Sequence, residues 1–111
     1  MNKASKNLSK FTKKEVQQLF KNIKKKNQIL GIKILRSPRI LDFGRILIIT
    51  PKKTGNAAKR NLIRRRLKSI FYENKLYDLE YDWIIIIEKP AIGLSFKQIK
   101  DVILAIANEE I

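Results

Sequence analysis

Apolar side chains recur along this chain with two different periods, and each change of period marks a new element. Val16, Leu19, Phe20 and Ile23 stand three or four residues apart, which gathers them on one side of a helix. Just ahead, Thr12 and Glu15 have the spacing of a capping box, and Phe11 and Val16 that of the hydrophobic staple around it. A helix is predicted over residues 12–25. Residues 29–36 (ILGIKILR) and 43–50 (FGRILIIT) are dense in β-branched and aliphatic side chains and read as strands. Ser37-Pro38 stops the first and Pro51 the second. The connection over 37–42 is short enough for an antiparallel hairpin. After the polar loop Lys52-Lys53-Thr54-Gly55-Asn56, the helical period returns and predicts a helix over 56–74. Trp83 to Ile87 (WIIII) is apolar at every position. Such a strand is covered on both faces and belongs in the middle of a sheet. Ser95 and Gln98 form a second capping box, Leu94 and Ile99 a second staple. Ile99, Val102, Ile103 and Ile106 then give the last helix a single apolar face. The order is α-β-β-α-β-α, an α/β arrangement in which helices pack on a small sheet. Residues 1–10 are polar and lysine-bearing and read as a flexible basic tail, ahead of one domain over 11–111.

Length agrees with that reading, since 111 residues suit one domain. With 44% hydrophobic residues, a real core can form. Charge adds what periodicity cannot. There are 25 Lys+Arg against 10 Asp+Glu, a net +15. The balance is uneven: residues 1–72 carry +19 and residues 73–111 carry −4. A field of that kind calls for a polyanion, nucleic acid first and an anionic membrane surface second. Cysteine and histidine are absent. That removes disulfides, thiol nucleophiles and Cys/His zinc sites, and any imidazole base. The first residues lack the apolar core of a signal peptide, and no apolar run reaches the roughly 20 residues that span a bilayer. A cytoplasmic location is the expectation, with no membrane partner.

The charge concentrates in residues 43–72, which contain no acid and nine bases: Arg45, Lys52, Lys53, Lys59, Arg60, Arg64, Arg65, Arg66 and Lys68. At about 100° per residue, Ile63, Leu67, Ile70 and Phe71 gather on one arc of the predicted helix. Asn61, Arg64, Arg65 and Lys68 gather on the neighbouring arc, with Arg60 at its margin. One side can dock on a sheet while the other presents forked cationic donors. Guanidinium suits phosphate because its planar N–H fork engages two oxygens at once. Asn61 can reach a 2′-hydroxyl or a base edge. The plainer alternative is a solvated basic face, although ordinary surface helices mix signs for i,i+4 pairing. Glu73, Asp78, Glu80 and Asp82 are scattered around a predicted helix end and turn, and read as a solvated face.

The stretch TPKKTGNAAKRNLIRRRLKSIF resembles the signature of the bacterial ribonuclease P protein family: a Lys-Lys pair, a Gly-Asn-Ala turn, an Arg-Asn-Arg helix with further bases, and a closing Phe. WIIIIEKPAIGLSF is similar to the family's apolar strand, Lys-Pro turn and final helix start, and LSKFTKKEVQQLFKN to its first helix. The resemblance implies an α/β sandwich with a left-handed β-α-β crossover, the reverse of the usual hand. It also implies a role: binding a catalytic RNA and the 5′ leader of precursor tRNA while that RNA removes the leader. Magnesium would serve the holoenzyme, held mainly by the RNA, with no cofactor assigned to the protein. The protein is expected to be a monomer in a 1:1 complex.

Carried over by position, Lys52 and Lys53 match the lysine pair. Asn56 lies in the turn, followed by Lys59. Arg60 and Asn61 open the Arg-Asn-Arg motif, whose third member is Leu62 here. Arg64 and Arg65 match the following basic pair and Lys68 the next basic position. Arg66 stands where an aliphatic residue is common and could compensate for Leu62. The family's leader cleft lies between the first helix and the sheet. Val16, Phe20 and Arg45 are its candidates here, and Phe20 could equally be core. Aromatics stack on unpaired bases, but Val16 and the strand 29–36 offer none. No residue is expected to be catalytic or to bind metal, since there is no His, no Cys and no acidic cluster with two-metal spacing. A ribosomal or other structural RNA-binding role is the alternative. A DNA-binding regulator lacks support, because a strand and not a second helix follows the basic helix.

Overall fold

The computed structural model describes residues 8–109. Four strands form its sheet: β1 (Lys25–Ile29), β2 (Ile32–Pro38), β3 (Ile46–Ile49) and β4 (Tyr81–Ile87), in the spatial order β1-β2-β4-β3. Successive side chains of a strand point to opposite faces. Trp83, Ile85 and Ile87 therefore enter one core while Ile84 and Ile86 enter another. Only an inner strand can bury both sets, and β4 lies antiparallel to β2 and parallel to β3. The hairpin expected across 37–42 is thus not formed, because β4 inserts between the two strands that would have paired.

Three helices cover the sheet: α1 (Lys13–Lys21), α2 (Ala57–Glu73) and α3 (Phe96–Asn108). On one face, Ile63, Leu67, Ile70 and Phe71 of α2 join Ile99, Val102, Ile103 and Ile106 of α3 over Ile32, Ile34, Ile46, Trp83, Ile85 and Ile87. On the other, Leu19 of α1 packs with Leu35 and Ile84. Both capping boxes form, with the Thr12 and Ser95 side chains accepting from the N–H groups of Glu15 and Gln98.

The expected order of elements is present, with one strand more. β1 (KKNQI) has too few apolar residues to show a strand period, and its lysines suit a sheet edge. The strand expected over 29–36 is in fact the end of β1, a turn, and most of β2. The turn places Leu30 at φ 53° and Gly31 at φ 83°, the left-handed pair that a tight hairpin needs. Gly31 is also required for space, since a Cβ there would sit 2.9 Å from the Ala91 nitrogen. With Lys25 already in a strand, the first helix is shorter than predicted. At the start of the chain, Leu8 is core, and its carbonyl accepts from the Ile46 N–H at 2.6 Å. The tail expected over 1–10 therefore does not include Leu8; its residues 1–7 lie outside the described residues.

Two buried arginines tie the helices to the sheet. Arg36 is fully buried, with Nη1 donating to the Ile106 carbonyl (3.3 Å) and Nη2 to Asn27 Oδ1 (3.1 Å) and Glu109 Oε2 (3.2 Å). It holds the C-terminal end of α3, where a cation is favoured. Arg45 is 3% exposed and forms a two-pronged pair with Glu15 of α1, Nη1–Oε1 3.2 Å and Nη2–Oε2 2.8 Å. Its Nη1 also donates to the Lys10 carbonyl at 2.7 Å, and its guanidinium lies 4.2 Å from the Phe11 ring centroid. The hydrogen bonds from Arg45 hold the Glu15 carboxyl down at about 2. Burial pushes the Asp82 carboxyl up from its ordinary value, although the N–H groups of Arg45 (2.7 Å) and Ile40 (3.4 Å) favour its charged form.

Phe71→Ala should empty the contact under Trp83 and cost about 3–5 kcal/mol, read from chemical denaturation. The Glu15–Arg45 pair gives a pH test. A carboxyl with a depressed folded pKa stabilises the fold above its ordinary value of 4.5 and loses that stabilisation as pH falls toward about 2. Glu15→Gln should therefore lower stability at neutral pH and flatten the fall in stability between pH 4.5 and 2. An acid profile identical to that of the unmodified protein would remove the pair from any account of α1 docking.

Candidate nucleic-acid interface

Helix α2 starts at Asn56, whose Oδ1 accepts from the Lys59 N–H at 2.9 Å. Its apolar arc is fixed against the sheet by Ile63, Leu67, Ile70 and Phe71, and Phe71 meets Trp83 edge-on at 6.2 Å. With that arc inward, the basic arc must face out. Ala58, Asn61, Arg64, Arg65 and Lys68 line a shallow groove of about 550 Å³. Arg64 is held at its base, Nε donating to Thr50 Oγ1 at 2.8 Å and Nη1 to Asn61 Oδ1 at 3.3 Å. Arg60 Nε donates to the Gly55 carbonyl at 3.1 Å. Asn61, Arg65 and Lys68 are exposed. Among the described residues, the strip makes no ion pair; the acids that do pair hold Arg36, Arg45 and Lys97. Cations set side by side without counter-charges repel one another, and an incoming polyanion relieves that repulsion.

The remaining candidates divide. Lys52 and Lys53 are exposed in a 3-10 turn (Lys52–Thr54) ahead of α2, and Asn56 and Lys59 are exposed at its first turn. Leu62 is 37% exposed, so its apolar side chain stands at the surface. Arg66 is not part of the strip. It is half-buried on another side of α2, and its Nη1 donates to the Leu94 carbonyl at 3.4 Å. Two residues along a helix is a rotation of about 200°, which sets Arg66 apart from Arg64; it lies one turn beyond Leu62 on the same side, with its guanidinium engaged by Leu94.

The opposite face of the sheet offers a second surface, because α1 covers it only in part. Gln28, Lys33, Ile86 and Ile49 lie side by side across the four strands. Leu47, Ile49 and Ile86 are half-buried there, and Lys33 is exposed. Phe20 is 41% exposed, so it is not core. Val16 is half-buried. Arg45, expected to line this cleft, is instead buried in the pair with Glu15 and has no exposed fork to offer. Ile86 also opens into a groove of about 440 Å³ bounded by Pro51, Lys53, Thr54, Ile87, Glu88, Lys89 and Pro90. In the sequence, Lys89-Pro90 is only the Lys-Pro turn after the apolar strand. Nothing local indicates that it closes a groove with the Pro51 turn. No three acidic, histidine or cysteine side chains among the described residues gather in a way that could hold a metal ion, and no helix among them is long and apolar enough to cross a membrane.

This arrangement has known counterparts. The ribonuclease P family model matches residues 4–109. The ribonuclease P protein component of Petrotoga mobilis is 36% identical over 110 residues, covering 89% of this chain and 93% of that protein. That of Mycoplasma mobile is 34% identical over 103 residues, covering 89% and 92%. In fold, the chain is similar to the RNase P protein of Staphylococcus aureus, with a TM-score of 0.78 at 24% identity over 91% of this chain and 93% of that one. A match spanning every described residue, with the basic helix in its centre, means that the chain belongs to the ribonuclease P protein family.

Proposed function

We propose that this protein docks α2 on the catalytic RNA of ribonuclease P and holds the single-stranded 5′ leader of precursor tRNA across the sheet face beside α1. The observation that supports this reading is the unpaired cationic strip Arg60, Asn61, Arg64, Arg65 and Lys68, extended by Lys59 and by Lys52 and Lys53. Its forks suit phosphate, and its base is stiffened by Thr50 and Asn61. The protein's contribution is electrostatic. Two polyanions must approach each other, and a body of net +15 between them lowers their repulsion. Phe20 supplies one stacking surface on the leader side; elsewhere Leu47, Ile49 and Ile86 give an aliphatic floor with Lys33 and Gln28 beside it, so contact with bases there is broad and weakly selective.

Hydrolysis is assigned to the RNA, and magnesium with it. The described side chains do not fit a metal site, so the protein's own residues bind and orient. A monomer in a 1:1 complex suits the self-repulsion of so basic a chain. A cytoplasmic setting goes with the lack of cysteine.

If about five cations meet phosphates, log K should fall with log salt at a slope of about four. Replacing Arg64 and Arg65 together by Ala should flatten the slope by about 1.5 units and slow precursor cleavage at low magnesium. Lys97→Ala, on α3 outside the strip and paired with Asp101, should leave both unchanged. An Arg64/Arg65 variant with the original slope would remove α2 as the RNA-docking surface.

A further inference from the structure

The groove at the carboxyl ends of β3 and β4 has two stiff walls and one rim charge of the wrong sign for a phosphate. One wall is the Pro51–Thr54 turn. Thr54 is buried, and both its Oγ1 (2.6 Å) and its N–H (3.0 Å) donate to the Pro51 carbonyl. The other wall is the turn at 88–91. There the Glu88 N–H donates to the Gly31 carbonyl at 2.8 Å, and the Ala91 N–H to the Glu88 carbonyl at 3.0 Å. Pro51, Pro90 and Ile86 give the space between the walls apolar surfaces. Lys53 and Lys89 stand exposed on the rim, as a nucleic-acid backbone would require.

Glu88 stands with them. A carboxylate there weakens every phosphate contact nearby. Among the described residues it forms no ion pair, although Lys89 is its neighbour; instead the Gln28 side-chain amide donates to its Oε1. A fixed, unpaired carboxylate on a cationic rim favours a ligand that brings N–H donors as well as phosphates. An unpaired nucleotide with an exocyclic amine is such a ligand, and carboxylate–amine pairing is a known means of reading a base edge.

We infer that this groove receives one unpaired nucleobase of the bound RNA strand. Its flanking phosphates lie at Lys53 and Lys89, and its exocyclic amine donates to Glu88. Uracil, which has no exocyclic amine and offers only an N3–H flanked by two carbonyl oxygens, is disfavoured. The inference rests on the proposal that the leader crosses this face of the sheet, and it adds a base preference that the aliphatic floor cannot supply.

The test uses the protein assembled with its catalytic RNA and precursor tRNAs in which one leader position at a time is A, C, G or U. At one position, uracil should weaken binding by about three- to tenfold. Glu88→Ala should erase that difference. Glu88→Lys should tighten all four leaders and also erase it, whereas Lys53→Ala should weaken all four alike. Equal binding of all four bases at every position, with precursor still preferred over mature tRNA, overturns the groove assignment and leaves the leader proposal standing. Uracil discrimination that survives Glu88→Ala overturns it as well. If precursor and mature tRNA bind equally, the leader proposal fails and this inference fails with it.

Discussion

The architecture depends on burying β4 on both faces. A run of Trp and four Ile has no side to offer water, so the strand must lie inside the sheet with a hydrophobic layer above and below it. That requirement separates β2 from β3 and makes β3 and β4 parallel neighbours. Parallel strands cannot be joined by a tight turn and need a crossover, which α2 provides. Once the apolar arc of α2 is committed to the sheet, its arginines have only the outside left. The cationic strip thus follows from a packing demand made by a strand that carries no charge.

The distribution of acids complements this. The fold holds few, and it uses Glu15 on Arg45 and Glu109 on Arg36, beneath α1 and at the end of α3. Both pairs have a buried arginine, where an uncompensated cation would be costly. Neither pair is placed against α2, whose own Glu73 accepts from the Ser69 hydroxyl at 2.9 Å. Arginines of the same chemistry therefore serve two ends: Arg36 and Arg45, each with a carboxylate, fasten helices to the sheet, whereas Arg60, Arg64 and Arg65 of α2 form no ion pair among the described residues and are left for a polyanion. Glu88 departs from this division. Among the described residues it forms no ion pair on its basic rim and is held by an amide, which is why we assign it a role in selection.

Much of the fold is legible from periodicity, because the strongest signals are local. The capping boxes at Thr12 and Ser95, the apolar arc at Ile63, Leu67, Ile70 and Phe71, and the inner position of WIIII all express steric and hydrogen-bonding rules that act within a few residues. The strip at Asn61, Arg64, Arg65 and Lys68 was legible for the same reason, since helix geometry alone brings those residues to one side. β1 was not, because an edge strand of lysines and amides has no apolar alternation to reveal it.

Side-chain chemistry at short range sets which residues seek the interior, where helices begin, and that one helix face is cationic, so all three can be read along the chain. Folding in three dimensions settles that Arg45 and Arg36 are internal fasteners, that Arg66 turns toward Leu94, that Phe20 stays at the surface, and that Pro51 and Pro90 line one groove. Each of those outcomes depends on a partner distant in the chain, and a charge or a ring carries no sign of whether its partner will be solvent or protein.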